Sequence, residues 1–245
     1  MLLEVANLDV RYGRNHAVKG LNLSVAADEL IAVLGANGAG KTSLLRAIQG
    51  LIPISDGFIR FDGEDISRLS PPERLKRQLV LVPEGRQIVI GLSVHENLQM
   101  GAYCRADAGV PRDIEAIYER FPNLAARRKM PASVLSGGEQ QRLAIARSIL
   151  LDAPILVLDE ATAFADPDSE AAIQRAITEL VAGRTLVVIA HRLHTITGAD
   201  RILMLENGEV TEAGTHEELV AAGKGYATMW ARYQTAQAGI QGEEK

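Results

Sequence analysis

The segment GANGAGKT, residues 35–42, matches the pattern G-x-x-x-x-G-K-[ST] of a loop that binds phosphates. It follows an apolar run, 30–34, that is typical of a strand, and it precedes a helical stretch, 42–49, that stops at Gly50. Glycines let backbone N–H groups approach phosphate oxygens without a Cβ in the way, and a helix N-terminus adds partial positive charge. The segment therefore predicts a strand–loop–helix unit that holds phosphates, and a plain tight turn is the less favoured interpretation.

A second segment, LSGGE at residues 135–139, combines one serine with two glycines and a glutamate. Ser136 and Glu139 have the spacing of a capping box, so we expect a helix to start here. An ordinary helix start would explain the segment if it stood alone. The acidic pair Asp159-Glu160 makes an ordinary helix start the less favoured explanation. This pair follows an apolar strand, 155–158, and carboxylates at the end of a strand beside a phosphate loop hold a cation and polarise a water molecule.

Together the three segments resemble the ATP-binding subunits of ABC transporters, and the resemblance covers nearly all of the chain. It implies an α/β fold of the P-loop NTPase class, with a RecA-like parallel sheet, an N-terminal antiparallel β layer and an inserted helical subdomain. It also implies ATP and Mg²⁺ as cofactors and hydrolysis by a head-to-tail dimer. In that dimer the segment 135–139 meets the ATP that the partner subunit holds.

The resemblance assigns the site residues one by one. Nucleotide contacts fall to Tyr12, Val18, Asn37, Gly38, Ala39, Gly40, Lys41, Thr42 and Ser43, and contacts in trans fall to Ser136, Gly137, Gly138 and Glu139. The catalytic residues are Lys41, Glu160 and His191, which respectively pair with the β/γ-phosphates, polarise the attacking water and contact the γ-phosphate. Asp166 occupies the loop that communicates across the dimer, and the magnesium ligands are Thr42, Asp159 and Glu84.

Three of these assignments have a competing explanation. Tyr12 is expected to stack on adenine with Val18 as an apolar neighbour, although a tyrosine at such a place is more often a packing residue. Asp166 is equally suited to cap the helix that starts at Pro167. Glu84 stands where the family normally has glutamine; it still offers a cation ligand but adds negative charge near the γ-phosphate, and Gln87 is an alternative that the register disfavours.

Composition restricts the partners. The formal net charge of −5 gives no electrostatic reason to expect a nucleic acid. The single cysteine, Cys104, excludes an internal disulfide and favours a reducing cytosolic setting. No apolar run reaches the ~18–20 residues of a spanning helix, and the N-terminus lacks the basic region of a signal peptide. We therefore expect a cytoplasmic protein, peripheral on the inner face of the membrane, whose partners are a second ABC ATPase subunit and integral membrane subunits on a separate chain.

The apolar pattern places the elements. Strands are predicted at 3–12, 20–25 and 57–61 in the antiparallel layer, and at 30–34, 79–82, 155–158 and 185–190 in the parallel sheet. Capping boxes predict helix starts after Ser70, Ser93 and Thr215, and Asn207-Gly208 predicts a hairpin. One ABC ATPase domain, 1–245, would then comprise a core (1–84 and 152–238), a mainly helical subdomain (85–151) and a polar tail (239–245).

The two halves resemble different subfamilies. Residues 1 to about 140 resemble the ATPase subunits of branched-chain amino-acid importers, whereas 159–166, 190–196 and 214–219 resemble the nucleotide-binding domains of ABC exporters. This change of resemblance predicts a chimera whose seam lies between about 135 and 155. Two alternatives to a coupled transporter subunit stay open: a folded ATP-binding module without coupled transport, and a DNA-associated ABC ATPase. The second is disfavoured because neither a coiled-coil insertion nor a basic groove is visible.

Overall fold

The computed structural model describes residues 1–82, 88–105, 107–151, 153–158, 185–189, 193 and 196–242. The chain forms two compact units. The first consists of Met1–Ile48, Ile52–Ser67 and Val187–Lys245, and the second consists of Gln49–Leu51 and Arg68–Leu186.

The described strands are β1 (Leu3–Tyr12), β2 (Asn15–Val25), β3 (Leu30–Leu34), β4 (Asp56–Phe61), β5 (Glu64–Asp65), β6 (Leu79–Val82), β7 (Ile155–Leu158), β8 (Thr185–Ile189), β9 (Arg201–Glu206) and β10 (Glu209–Gly214). The described helices are α1 (Lys41–Gln49), α2 (Pro71–Lys76), α3 (Val94–Gly101), α4 (Val110–Arg120), α5 (Pro122–Ala125), α6 (Gly137–Leu150), α7 (His216–Ala221) and α8 (Gly225–Gly242). A short 3-10 turn, Ala132–Val134, precedes α6.

The first unit begins with an antiparallel sheet of four strands in the order β2-β1-β4-β5. In β1, Leu3, Val5, Leu8 and Val10 turn inward and are at most 2% exposed. This near-alternation is the pattern of a strand with one buried face. The predicted antiparallel layer is thus present, and its strand β2 starts at Asn15, earlier than the predicted Gly20.

The early start of β2 has a local cause. Gly20 adopts a φ of +54°, and its N–H donates to Asp9 Oδ1 at 2.7 Å. The pairing of β1 with β2 shifts register between Leu8 and Val10, so the glycine sits in an irregularity inside the strand. A glycine that looked like a strand boundary in the sequence is a bulge position.

The other sheet of the first unit has the order β10-β9-β3-β8, in which β3 and β9 run parallel and β9 and β10 form a hairpin. Asn207 and Gly208 make the turn with φ values of +51° and +88°, as the sequence predicts. Ala32, Leu34, Ile202 and Met204 from these strands pack with Leu219 and Tyr226 from the C-terminal helices. The last helix, α8, continues to Gly242, so residues 239–242 of the predicted tail are helical.

The second unit combines a parallel strand pair with a helical cluster. β6 and β7 pair in parallel with Leu79 opposite Ile155. The helices enclose a buried cluster that draws residues from α3, α4, α5 and α6, among them Leu98, Ile117, Leu124 and Leu143.

The predicted capping boxes are present at four helix starts. The N-cap residues are Ser70, Ser93 and Ser136 in the second unit and Thr215 in the first unit.

The predicted fold class is confirmed: the chain is a mixed α/β protein with an antiparallel sheet and a parallel-rich sheet. The subdivision at residues 85 and 152 stays a prediction. Among the described residues, no helix is both long enough and apolar enough to cross a membrane.

Candidate nucleotide-binding loop and signature segment

The predicted phosphate-binding loop, residues 35–42, is packed against backbone on two sides. A Cβ on Gly35 would lie 2.3 Å from the carbonyl oxygen of Leu205 in β9, and a Cβ on Gly40 would lie 2.4 Å from the carbonyl oxygen of Ala17 in β2. Gly40 also has a φ of +105°, which L-residues rarely adopt. The two glycines are therefore required by close contacts with neighbouring strands as well as by the backbone conformation of the loop.

The tip of this loop is open while its base is fixed. Ala36, Asn37 and Gly38 are exposed, whereas Ala39 is 5% exposed. The Ala39 N–H donates to Ala36 O at 3.1 Å, and the Gly208 N–H donates to Ala39 O at 3.0 Å. The β9–β10 hairpin thus holds the loop in place, and the exposed backbone of the tip is the part that a ligand can reach.

Lys41 lies at the start of α1 and folds back over the loop. Its side chain is largely buried, and its Nζ donates to Gly35 O at 2.8 Å and to Ala36 O at 3.0 Å. α1 begins at Lys41, and the Leu44 N–H donates to Gly40 O at 2.9 Å, so the loop leads directly into the positive N-terminal end of this helix. The ammonium group and the helix N-terminus place positive charge at one spot, which suits phosphate.

The two residues predicted to contact the adenine base differ in their exposure to solvent. Tyr12, at the end of β1, is 45% exposed, and its Oη lies 3.5 Å from Ser43 Oγ in the first turn of α1. The aromatic ring is therefore accessible beside the loop. Val18 is fully buried and pairs with Val10 in the sheet, so it supports the strand that carries Ala17 and offers no exposed surface to a base.

The signature segment, residues 135–139, lies in the second unit and opens α6. Ser136 is exposed, and its Oγ accepts from Glu139 N at 3.3 Å, while its own N–H donates to Glu139 Oε2 at 2.9 Å. Gly137 is partly exposed and Gly138 is buried. Ser136 is therefore at the surface, and the two hydrogen bonds of the capping box fix its position at the start of α6.

A residue that the sequence analysis did not identify completes this cap. The Arg127 Nη1 group donates to Glu139 Oε1 at 2.8 Å. Burial raises the pKa of Glu139, but the hydrogen bond from the Ser136 N–H and the charge of Arg127 outweigh it, so the net pKa of this carboxyl is lowered. Arg127 is twelve positions upstream. No helical spacing or short motif in the sequence links residues so far apart.

Five predicted site residues lie outside the described residues: Glu84, Asp159, Glu160, Asp166 and His191. The roles of these five stay predictions. Of the three predicted magnesium ligands, Thr42 is described, and it is partly buried in the first turn of α1.

The ABC transporter family matches residues 18–163, more than half of the chain. The mycobactin import ATP-binding/permease protein IrtA of Mycolicibacterium thermoresistibile is 43% identical over 232 residues, which cover 91% of this chain and 25% of that protein. The ATP-dependent lipid A-core flippase of Methylococcus capsulatus is 38% identical over 242 residues, covering 94% of this chain and 39% of that protein. The chain thus spans between a quarter and two fifths of the length of these relatives, and the chimera stays a hypothesis.

Solved structures agree with the sequence matches. A bacterial Atm1-family ABC exporter with ATP bound superposes with a TM-score of 0.82 at 31% identity, covering 94% of this chain and 41% of that one. An ATP-binding subunit of an ABC transporter superposes with a TM-score of 0.83 at 26% identity, covering 96% of this chain and 100% of that one. The chain belongs to the ABC transporter family and is an ATP-binding cassette, a domain of the type that hydrolyses ATP.

Proposed function

We propose that this cassette binds Mg·ATP at the loop 35–42 and hydrolyses it as a head-to-tail dimer. The observation that carries the proposal is the position of Lys41. Its ammonium group rests on the carbonyls of Gly35 and Ala36 at the N-terminus of α1, where the exposed loop tip can receive phosphates. Anionic phosphate oxygens would bind the same ammonium group and the N-terminal end of α1.

The donor set suits magnesium. Thr42 offers a hydroxyl, and Asp159 and Glu84 offer carboxylates, which are the oxygen ligands that Mg²⁺ takes beside nucleotide phosphates. When bound, the ion neutralises charge that develops on the phosphates. Glu160 accepts a proton from the attacking water, and His191 orients the γ-phosphate, as the family resemblance implies.

Hydrolysis would require two cassettes. The signature segment presents Ser136 at the N-terminus of α6, a second helix start suited to an anion, and we propose that it meets the ATP on the partner subunit. A dimeric ATP-binding cassette with ADP and phosphate is among the solved structures that share this fold. A single cassette would then bind ATP but turn it over slowly.

The test compares wild type with Glu160→Gln and Lys41→Ala by phosphate release and by gel filtration with light scattering. Loss of a general base costs roughly 10²–10⁴ in rate, so Glu160→Gln should bind ATP, stay dimeric with ATP and nearly stop releasing phosphate. Lys41→Ala should lose ATP affinity and remain monomeric. A wild type that releases no phosphate above background, or a Glu160→Gln variant with unchanged turnover, would refute these roles.

We further propose that the cassette energises transport through integral membrane subunits on a separate chain, to which it attaches peripherally. Support comes from the solved ATP-binding subunit that this chain matches over the whole length of that subunit. Purification of a tagged full chain from membranes, followed by mass identification of co-purifying proteins, tests the idea. Membrane subunits that stimulate its ATPase would support coupling, whereas unchanged turnover with every co-purified partner would favour an uncoupled ATP-binding module.

A further inference from the structure

Glu139 has both carboxylate oxygens engaged by different partners. Oε2 accepts from the Ser136 N–H at 2.9 Å, and Oε1 accepts from Arg127 Nη1 at 2.8 Å. The Glu139 side chain is 11% exposed and the Arg127 side chain is 40% exposed. The Glu139 carboxylate, in the first turn of α6, is thus shielded from solvent, whereas the Arg127 guanidinium is open to it.

The position of Glu139 creates an electrostatic problem for the proposed dimer. A carboxylate in the first turn of a helix occupies the positive end of the helix dipole, which is also the end that an external phosphate would use. Ser136 is exposed at the same helix start, so a phosphate brought to Ser136 approaches a formal negative charge at Glu139. Juxtaposed like charges across an interface typically weaken association.

We propose that Arg127 is a positioning residue for the signature segment: it neutralises Glu139 and holds its carboxylate aside, so that Ser136 can accept the γ-phosphate of ATP bound to the partner subunit. This inference rests on the proposed head-to-tail dimer. Arg127 itself is not proposed to contact the nucleotide or the reacting atoms. It acts through Glu139, to which its Nη1 group donates a charge-assisted hydrogen bond at 2.8 Å while also donating to Asn123 O at 3.4 Å.

The proposal differs from a purely structural role for Arg127 in one respect that can be measured. If Arg127 only braces α6, its loss should harm the protein whatever residue stands at 139. If it neutralises charge, its loss should matter only while residue 139 is acidic. Glu139→Gln keeps a carbonyl oxygen for the Ser136 N–H and removes the charge, so it separates the two roles.

The experiment uses the full chain as wild type, Arg127→Ala, Glu139→Gln and the double variant, with Arg128→Ala as the matched control. Arg128 is the adjacent arginine, and it pairs with Glu115 at 3.0 Å and lies over the Tyr118 ring instead of contacting Glu139. Sedimentation measures ATP-induced dimerisation, phosphate release measures kcat at saturating ATP, and a fluorescent ATP analogue at high dilution measures binding by the monomer.

Arg127→Ala should weaken ATP-induced dimerisation at least about tenfold and lower kcat, because the Glu139 carboxylate, still hydrogen-bonded to Ser136 but without its counter-charge, repels the partner's phosphate. Binding of the ATP analogue by its monomer should stay within about twofold of wild type, because the loop 35–42 lies in the other compact unit of the chain. Arg127→Lys should recover part of the loss. The double variant should dimerise like Glu139→Gln alone, and Arg128→Ala should dimerise like wild type.

Equal defects in Arg127→Ala and the double variant would overturn the proposal, as would an Arg127→Ala variant that dimerises as well as Arg128→Ala. If Arg127→Ala folds poorly, the comparison of the double variant with Glu139→Gln decides the matter, because a weaker dimer in the double variant contradicts charge neutralisation. A wild type that does not dimerise with ATP refutes the proposed function and this inference together. A dimerising wild type with an unaffected Arg127→Ala refutes only the role of Arg127.

Discussion

Gly101, the last residue of α3, lies directly against the backbone of α6. A Cβ added at Gly101 would be 2.8 Å from both the Cα and the carbonyl oxygen of Arg147, whereas ordinary Cβ contacts begin at 3.4 Å. These are main-chain atoms, so no side chain can rotate away to make room. The substitution Gly101→Ala must therefore move α3 and α6 apart.

The size of the effect follows from two opposing contributions. Overpacking of a well-packed contact costs ~1–3 kcal/mol, and alanine recovers at most ~1 kcal/mol through its higher helix propensity. We expect a net loss of about 1–2 kcal/mol in the free energy of unfolding. For a chain of this length, that loss lowers the melting temperature by about 2–8 °C.

Differential scanning fluorimetry and hydrogen exchange give the readout, with Gly91→Ala as the matched control. Gly91 is exposed, and no heavy atom lies within 4 Å of the position that a Cβ would take there, so the same substitution should change stability by no more than ~0.5 kcal/mol. Exchange in Gly101→Ala should increase in α3 and α6. Because α6 carries the signature segment, ATP turnover should fall more than ATP binding. Gly101→Ala and Gly91→Ala variants of equal stability would show that the helices separate without cost and would refute the reasoning.

Three further outcomes are expected. Tyr12→Ala should weaken ATP by about 1–3 kcal/mol in calorimetry, the scale of base–aromatic stacking, while Tyr12→Phe keeps most of the affinity; equal binding by all three proteins would make Tyr12 a packing residue. Gly40→Ala should weaken ATP at least about tenfold, because its Cβ would meet Ala17 O at 2.4 Å in a strained backbone conformation; unchanged calorimetric affinity would contradict this. The hydrogen bond from Arg105 lowers the pKa of Asp107 from 3.8 to about 2, so the stabilisation that this pair gives is present above pH ~3.8 and is lost as the pH falls through about 2. The free energy of unfolding of Asp107→Asn should therefore be lower than that of wild type near neutrality, and the difference should shrink as the pH falls below ~3.8 and vanish below pH ~2. A difference that stays constant with pH would exclude this ion pair as the cause.

Local chemistry explains which elements could be predicted from the sequence. Strand β3 has the predicted bounds, and the hairpin at Asn207-Gly208 and the capping box at Ser136 are present, since each depends on residues that are neighbours in the chain. The predicted start of β2 at Gly20 was wrong because, in a sequence, a glycine inside a bulged strand cannot be told from a glycine at a strand end. Its partner, the Asp9 carboxylate, is eleven positions away.

The parts of the site that could not be predicted are those made by long-range contacts. Arg127 reaches Glu139 because α5 and the 3-10 turn bring it back to the start of α6, and no periodic pattern marks that return. The burial of Val18 depends on its pairing with Val10. Motifs therefore predicted which residues would touch the ligand, and those assignments stay predictions, whereas the residues that hold the loop and the capping box in place could be identified only from the fold.

The loop 35–42 depends on two segments, strand β2 and the β9–β10 hairpin, that no sequence motif connects with it. A Cβ on Gly40 would lie 2.4 Å from the Ala17 carbonyl oxygen, and a Cβ on Gly208 would lie 2.8 Å from the same oxygen. Both glycines are therefore needed for the backbone to approach Ala17 in strand β2. Gly208 also donates to Ala39 O at 3.0 Å and accepts from Lys19 N at 2.9 Å. The hairpin turn, strand β2 and the loop therefore form one backbone assembly in the first unit. Because backbone contacts cannot be relaxed by side-chain rotation, a displacement of the hairpin must move the base of the loop at Ala39 and Gly40, so the turn at 207–208 and the loop sequence together set the backbone geometry that the loop offers to a phosphate.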